Sequence, residues 1–400
     1  MVSIESCLVL TITASVRRYI VHLYIPNRIA LLILHSVLHI KHNSNTYDKA
    51  MAESFATFLY DQLIASVPDV QQSLVGKTAI ITGSNTGLGK EAARKYATLG
   101  VSRLILAVRN TTKGEEARQD ILNSLKVATA KSQWVSQGPT GGDVAQAEDA
   151  AKRIQVWELD LGSYESVQAF AARCERELER IDIVIENAGI ATYEYALAED
   201  NESTVTVNVI STFLLANLLV PKLKETAKKF NIRPTLTIVS SGVHYWAKMP
   251  ERKKLQPGDK LFDVLNNPEA ADMKDRYNVS KLLEVFYCRE FAAQHSASTF
   301  PVTLNFVDPG FCWSTLSREE GGWTMYLARL ALARTTEQGS RTLASAGMSG
   351  QETHGQFLAS CKPREVALFV TSEEGQKLQK MVYQEVNEKL EKIQTGVTKV

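Results

Sequence analysis

From Lys77 onward, apolar runs of strand length alternate with longer helical patterns, and this alternation limits the fold more than any other feature of the chain. Six runs stand out: Thr78–Thr82, Arg103–Val108, Ile154–Leu159, Ile181–Glu186, Thr235–Ser240 and Val302–Val307. Each is rich in Ile, Leu and Val, as strands buried on both faces require. Strand–helix–strand repeats of this kind build a parallel sheet, and right-handed crossovers put helices on both of its faces. The sequence therefore predicts a doubly wound α/β domain.

The first run empties directly into Thr82-Gly83-Ser84-Asn85-Thr86-Gly87-Leu88-Gly89-Lys90, and a helical pattern follows from Glu91. Glycines let a backbone turn tightly and approach a pyrophosphate, while a helix start offers free N–H groups and partial positive charge. Glycine turns also serve simply to end strands, but strand, turn and helix in this order read as a dinucleotide cradle of the Rossmann type. Gly83, Asn85, Gly87, Leu88 and Gly89 are its candidate residues. Twenty residues after Gly89, Arg109 follows directly on the second run, where an acidic residue would hold the ribose 2′-hydroxyl of NAD. A guanidinium instead matches a 2′-phosphate through charge-assisted hydrogen bonds, and Lys113 follows one helical turn later. NADP(H) is expected over NAD(H); the alternative is an arginine merely solvated at a strand end.

Tyr277 and Lys281 stand four residues apart, on one face of a helix. A phenol that exchanges protons near neutral pH benefits from an adjacent cation that stabilises phenolate. The fifth run ends in Ser240-Ser241, at the carboxyl edge of the sheet where such folds place their chemistry. With its leading threonine and Gly-x-x-x-Gly-x-Gly spacing, the glycine loop resembles that of the short-chain dehydrogenase/reductase family. The resemblance is strong over roughly residues 75–316 and includes retinol-dehydrogenase-like enzymes and fungal reductases of secondary metabolism.

The resemblance implies roles for further residues. Asp160 would accept from the adenine amino group. Asn187-Ala188-Gly189 is similar to the family's NNAG element, with Glu186 replacing the first asparagine; Asn187 is the candidate there and the role of Glu186 is open. Ser241 would hydrogen-bond the substrate oxygen, with Ser240 the weaker candidate, and Asn208 would hold a water linking Lys281 to solvent. Asp308-Pro309-Gly310-Phe311-Cys312-Trp313-Ser314 resembles the cofactor loop and contributes Gly310 and Ser314. Lys281 would also hold the nicotinamide ribose beside Tyr277. Ser241 precedes Tyr277 by 36 residues, further than in compact family members, and this connection is expected to border the substrate pocket together with Trp313, Trp323, Met325 and Tyr326.

The implied activity is hydride transfer between a nicotinamide and a carbonyl or secondary alcohol of an apolar small molecule. Two other readings compete: a non-catalytic NADP-binding redox sensor, and a membrane-associated retinol or steroid dehydrogenase anchored through residues 1–50. That segment carries four of the seven histidines and five basic against two acidic residues. Pro26, Asn27 and Arg28 interrupt its apolar stretch, leaving no run of about 18 apolar residues to span a bilayer. It reads as an extension upstream of Met51, an interfacial or targeting segment, or an anchor. His35, His39 and His42 lack accompanying carboxylates or thiolates, so no metal is expected.

Residues 51–74 read as a lead-in and 75–400 as the main domain, with a polar loop insertion over 132–149. The basic and acidic residues number 45 and 44, a balance that gives nucleic acid no attractive field. Five scattered cysteines without a CxxC pair fit reduced thiols in the cytoplasm. The Asn-x-Ser/Thr triplets at Asn110, Asn201 and Asn278 read as chance matches. Near the end, Leu378, Met381, Val382, Val386 and Leu390 form a helical stripe, for packing or for a homodimer contact.

Overall fold

The computed structural model describes residues 55, 57–136, 151–313 and 329–400. Strand β1 (Thr78–Thr82) leads into helix α1 (Gly87–Thr98), β2 (Arg103–Val108) into α2 (Thr111–Ser136), and β3 (Ile154–Glu158) into α3 (Tyr164–Glu177). After β4 (Ile183–Glu186), a small hairpin of β5 (Leu197–Ala198) and β6 (Asn201–Glu202) precedes a helical run. That run has a short α turn at Ser203–Val205, a π-helical stretch at Thr206–Ser211, and then α4 (Thr212–Phe230). Next come β7 (Thr235–Val239), α5 (Arg276–Gln294), β8 (Thr303–Asp308), α6 (Thr336–Gly347), β9 (Phe357–Ala359), β10 (Lys362–Arg364) and α7 (Glu373–Ile393).

The main sheet has eight strands in the order β10-β9-β8-β7-β4-β1-β2-β3, and only the β9–β10 pair is antiparallel. All six expected strands are present and parallel. The strand order reverses between β1 and β4, the crevice where open α/β sheets bind ligands. The fourth strand starts at Ile183 and not at Ile181; just before it, the Asp182 backbone N–H donates to the Thr78 carbonyl, its carbonyl accepts from the Thr235 N–H, both at 2.9 Å, and its carboxylate accepts from the Thr78 N–H at 2.8 Å. The pattern missed the two-residue strands of the hairpin, β5 and β6, and two strands of the main sheet, β9 and β10, with three residues each, all too short to display a period.

Two apolar layers cover the sheet. On one face Ile80, Val184 and Ile238 meet residues of α3, α4, α5 and α7; on the other, Ile81, Leu106 and Val307 meet α1, α2 and α6. Among the described residues one helix is long and apolar enough to cross a membrane, the run Ser203–Phe230, and 83% of its most apolar window is buried in this core. In α7, Leu378, Val382, Val386 and Leu390 are buried, with Met381 packed at the edge. The helix lies along α5, where Tyr287 donates to Asn387 at 2.9 Å, so the stripe is used for packing within the chain.

Helix α2 continues through Ser136, so the first residues of the expected loop insertion, 132–136, are helical; 137–149 lie outside the described residues, as do 1–50.

Candidate active site

The glycine loop is fastened to the neighbouring strand end. Thr82 Oγ1 accepts from the backbone N–H groups of Asn187 and Ala188 at 2.9 and 2.8 Å, and Asn187 Nδ2 donates to the carbonyl of Thr82 at 2.9 Å. The Asn187 amide is thus spent on shaping the loop. Gly83 and Gly87 have φ of +65° and +57°, a region that L side chains rarely adopt. A Cβ on Gly89 would lie 2.5 Å from Asn187 Nδ2 and 2.8 Å from the Gly83 carbonyl oxygen, so that position admits only glycine without rearrangement. Gly87, by contrast, faces open space.

Thr86 caps α1 without a side-chain hydrogen bond, and the first turn holds no acidic residue. Its N–H groups and the dipole therefore remain available to an anion, and the cradle fits a dinucleotide pyrophosphate. Leu88 turns into the apolar layer beneath α1 while Asn85 sits half-buried in the loop. Arg109 and Lys113 are exposed beyond the end of β2, where Asn110 accepts from the Lys113 backbone N–H at 2.9 Å and starts α2. Asp160, half-buried after β3, accepts from the Gly162 backbone N–H at 2.9 Å.

On the other side of the crevice, β7 ends and Ser241 caps the 3-10 turn Gly242–Trp246, accepting from the Val243 N–H at 3.3 Å. Ser240 is buried and its hydroxyl donates to the Lys281 carbonyl at 3.2 Å, so of the two serines Ser241 is the partly exposed one. His244 supports it from behind: Nδ1 donates to the Ser241 carbonyl at 2.7 Å and Nε2 accepts from the Ala367 N–H. Burial lowers the His244 pKa to about 4 and keeps the ring neutral.

Half-buried Tyr277 stands in the first turn of α5, with buried Lys281 one turn on and its Nζ 5.7 Å from the phenol ring centroid. That ammonium donates to the Val239 carbonyl at 2.9 Å and to Glu284 Oε1 at 2.8 Å. Asn208 lies in the π-helical stretch, a form that recurs at functional sites. Its Oδ1 accepts from the Ile190 N–H, and its Nδ2 donates to the Ile190 carbonyl and to Ser280 Oγ at 2.9 and 3.0 Å. A Cβ on Gly189 would stand 3.1 Å from Asn208 Oδ1 and 3.9 Å from Lys281 Nζ, so the end of β4, Asn208 and Lys281 converge.

Comparison with known proteins agrees with this geometry. A family profile described as short chain dehydrogenase matches residues 135–232. Short chain dehydrogenase/reductase dmxR8 of Cryptosporiopsis sp. is 47% identical over 343 residues, 85% of this chain and 98% of that one. Short-chain dehydrogenase anuD of Penicillium roqueforti is 40% identical, over 86% and 85%. The chain belongs to the short-chain dehydrogenase/reductase family. In fold it is similar to an uncharacterized protein from Mycobacterium paratuberculosis, with a TM-score of 0.54 and 23% identity over 80% of this chain and 96% of that one.

Several supports of this reductase-family site were not legible beforehand. The Ser241–Tyr277 connection is an ordered structure hung on two residues just before the tyrosine. Asp275 accepts from the Lys248 and Met249 N–H groups at 2.8 and 2.9 Å. Arg276 is fully buried between Glu202 at 3.5 Å and Glu251 at 3.3 Å, and donates to the Leu265 carbonyl at 2.9 Å. The lead-in contributes Gln62, which donates to the Phe311 carbonyl at 2.8 Å and accepts from the Phe311 N–H at 3.2 Å. Gln62 thereby holds the loop after β8, where Gly310 adopts φ +82°. The charged pair Asp275-Arg276 immediately before Tyr277 is the sequence signal from which such support could have been read. Ser314, Trp323, Met325 and Tyr326 lie outside the described residues.

Proposed function

We propose that this chain is an NADP(H)-dependent reductase of a ketone or aldehyde on an apolar small molecule, working in the cytoplasm in the biosynthesis of secondary metabolites. The observation that supports it is that Tyr277 and Lys281 share one turn of α5, the helix that packs against the 3-10 turn capped by Ser241. The bound nicotinamide supplies the hydride. Ser241 presents a hydroxyl for the carbonyl oxygen, and Tyr277 donates the proton that the resulting alkoxide needs. Lys281 holds its charge next to the phenol and eases loss of that proton.

Gly83, Gly87 and Gly89 give the pyrophosphate its place at the start of α1, with Asn187 keeping the loop in shape. Exposed Arg109, with Lys113 beside it, offers a bidentate partner for a 2′-phosphate and favours NADP(H). An apolar substrate is favoured by the aromatic cluster in which Phe58 meets Trp246, of the turn after Ser241, and Phe311, of the loop after β8, at ring separations of 5.5 and 6.4 Å. NADP(H) preference makes reduction the cellular direction.

Fluorescence titration with NADPH and NADH, followed by turnover against a panel of ketones and aldehydes, tests this reading. Tyr277→Phe is expected to cut turnover by roughly 10²–10⁴-fold without weakening NADPH binding. Arg109→Asp is expected to weaken NADPH about tenfold or more and spare NADH. Equal use of both cofactors together with full activity in Tyr277→Phe would reject it.

A further inference from the structure

Lys281 pairs with one buried carboxylate, Glu284, which a second buried carboxylate, Glu186, faces in turn; hydride chemistry calls for neither. Glu186 is the last residue of β4 and Glu284 sits one turn after Lys281 on α5; they are 3% and 2% exposed, and Lys281 is 5% exposed. The sheet register explains their meeting. Glu186 pairs with Ile238 of β7, the residue before Val239, whose carbonyl holds the Lys281 ammonium. Ile238 belongs to the apolar layer that α5 covers, and paired residues of parallel strands face the same side.

Only one of the four carboxylate oxygens is hydrogen-bonded to Lys281, namely Glu284 Oε1. Glu284 Oε2 and both oxygens of Glu186 are buried without any hydrogen-bond partner. Two ionised carboxylates against one ammonium would leave a net buried charge, at a cost that burial makes severe. One proton removes the excess charge and, as an O–H···O bond, satisfies two of the three orphaned oxygens.

We propose that Glu186 and Glu284 share one proton, Glu186 donating it to the free oxygen of Glu284, so that the pair presents a single negative charge that positions the Lys281 ammonium. The functional part of this inference rests on Lys281 serving Tyr277. The charge environment agrees. Burial and the neighbouring Glu284 push the Glu186 carboxyl well above the usual range, and burial raises Glu284 to about 7 despite the pull of Lys281 and of the Ser240 hydroxyl. The titratable groups facing the pair are Lys281 and Cys288 on α5; the Cys288 thiol is itself pushed upward by burial and by both carboxylates. Strand β7 contributes Val239 and Ser240, and the π-helical stretch Asn208, none of which titrates.

Glu186 and Glu284 are thus positioning residues. While the pair holds its proton, Lys281 faces one negative charge; when alkaline pH removes that proton, a second charge draws the ammonium away from Tyr277.

Infrared spectroscopy of the full chain in heavy water at neutral pH tests this directly through the carbonyl stretch of a protonated carboxyl. The wild type is expected to show such a band. Either Glu186→Gln or Glu284→Gln removes it, because the one remaining carboxylate then pairs, ionised, with Lys281. Should one variant fail to fold, the other still decides. A second readout is melting temperature. The native pair keeps a proton that the unfolded chain releases, so wild-type stability falls relative to Glu186→Gln as pH rises above the ordinary glutamate value of 4.5. In turnover, Glu186→Gln retains a fixed donor and is expected to lose an alkaline ionisation from the pH profile. Absence of any band sensitive to either substitution would overturn the shared proton. A sensitive band in a protein without reductase activity would instead keep the pair and reject the role given to Lys281.

Discussion

The two sides of the crevice are built by different means. On the cofactor side, the loop between β1 and α1 takes its shape from glycine dihedrals and from uncharged hydrogen bonds between Thr82 and Asn187, at the ends of adjacent strands. On the proposed catalytic side, Tyr277 and Ser241 stand on a scaffold of buried charge: Arg276 between Glu202 and Glu251, Lys281 against Glu284, and neutral His244 under Ser241. A cradle for a ligand that brings its own charge needs backbone N–H groups and room. A site that must hold an ammonium next to a phenol has to neutralise that charge inside the protein, and the groups that do so come from distant segments.

This contrast is broken most severely at Arg276. Arg276→Met removes the cation that pairs with two fully buried glutamates and is expected to cost about 3–5 kcal/mol, read as a fall in melting temperature. Adding Glu202→Gln and Glu251→Gln should recover most of the loss. A drop below about 1 kcal/mol would show that buried charge does not hold the catalytic side together.

The next effect is a pH dependence. The unfolded chain binds a proton on His244 below its ordinary value of 6.5, whereas the folded chain does so only near 4. Stability is therefore fully present above pH 6.5 and is lost as pH falls through the window from 6.5 to 4, by up to roughly 3 kcal/mol. His244→Gln should flatten the acid limb of a melting-temperature profile. An unchanged limb would assign acid sensitivity elsewhere.

The smallest of the three lies on the cofactor side. Gly89→Ala puts a methyl 2.5 Å from Asn187 Nδ2, and the forced rearrangement is expected to cost about 1–3 kcal/mol. NADPH affinity should drop about tenfold or more while the β7–α5 side stays intact. Retained affinity in a fluorescence titration would mean that the loop gives way more easily than its fastening implies.

The parallel sheet was readable because strands buried on both faces appear as continuous apolar runs, and β1, β2 and β7 match their expected cores closely. The three-residue strands β9 and β10 were not, since they lie at the edge and their residues carry no period. Tyr277 and Lys281 could be paired from spacing alone because helical geometry converts four residues into one face. The support from Glu186 could not be read the same way. It stands where the family motif has an amide, and only the register of β4 against β7 under α5 brings it to Glu284, 98 positions further on.

The sequence by itself determined the doubly wound sheet, the glycine loop at the first strand end and the tyrosine–lysine face, because each follows from a short period or from a backbone conformation that few residues permit. Tertiary structure alone decided that Ser240 turns inward and Ser241 outward, that the Asn187 amide braces the loop, and that Gln62 of the lead-in holds the loop at Phe311. It also decided which carboxylates surround Lys281. Those outcomes depend on how charges and hydrogen-bonding groups far apart in the chain are satisfied once water is excluded, and no local pattern encodes that.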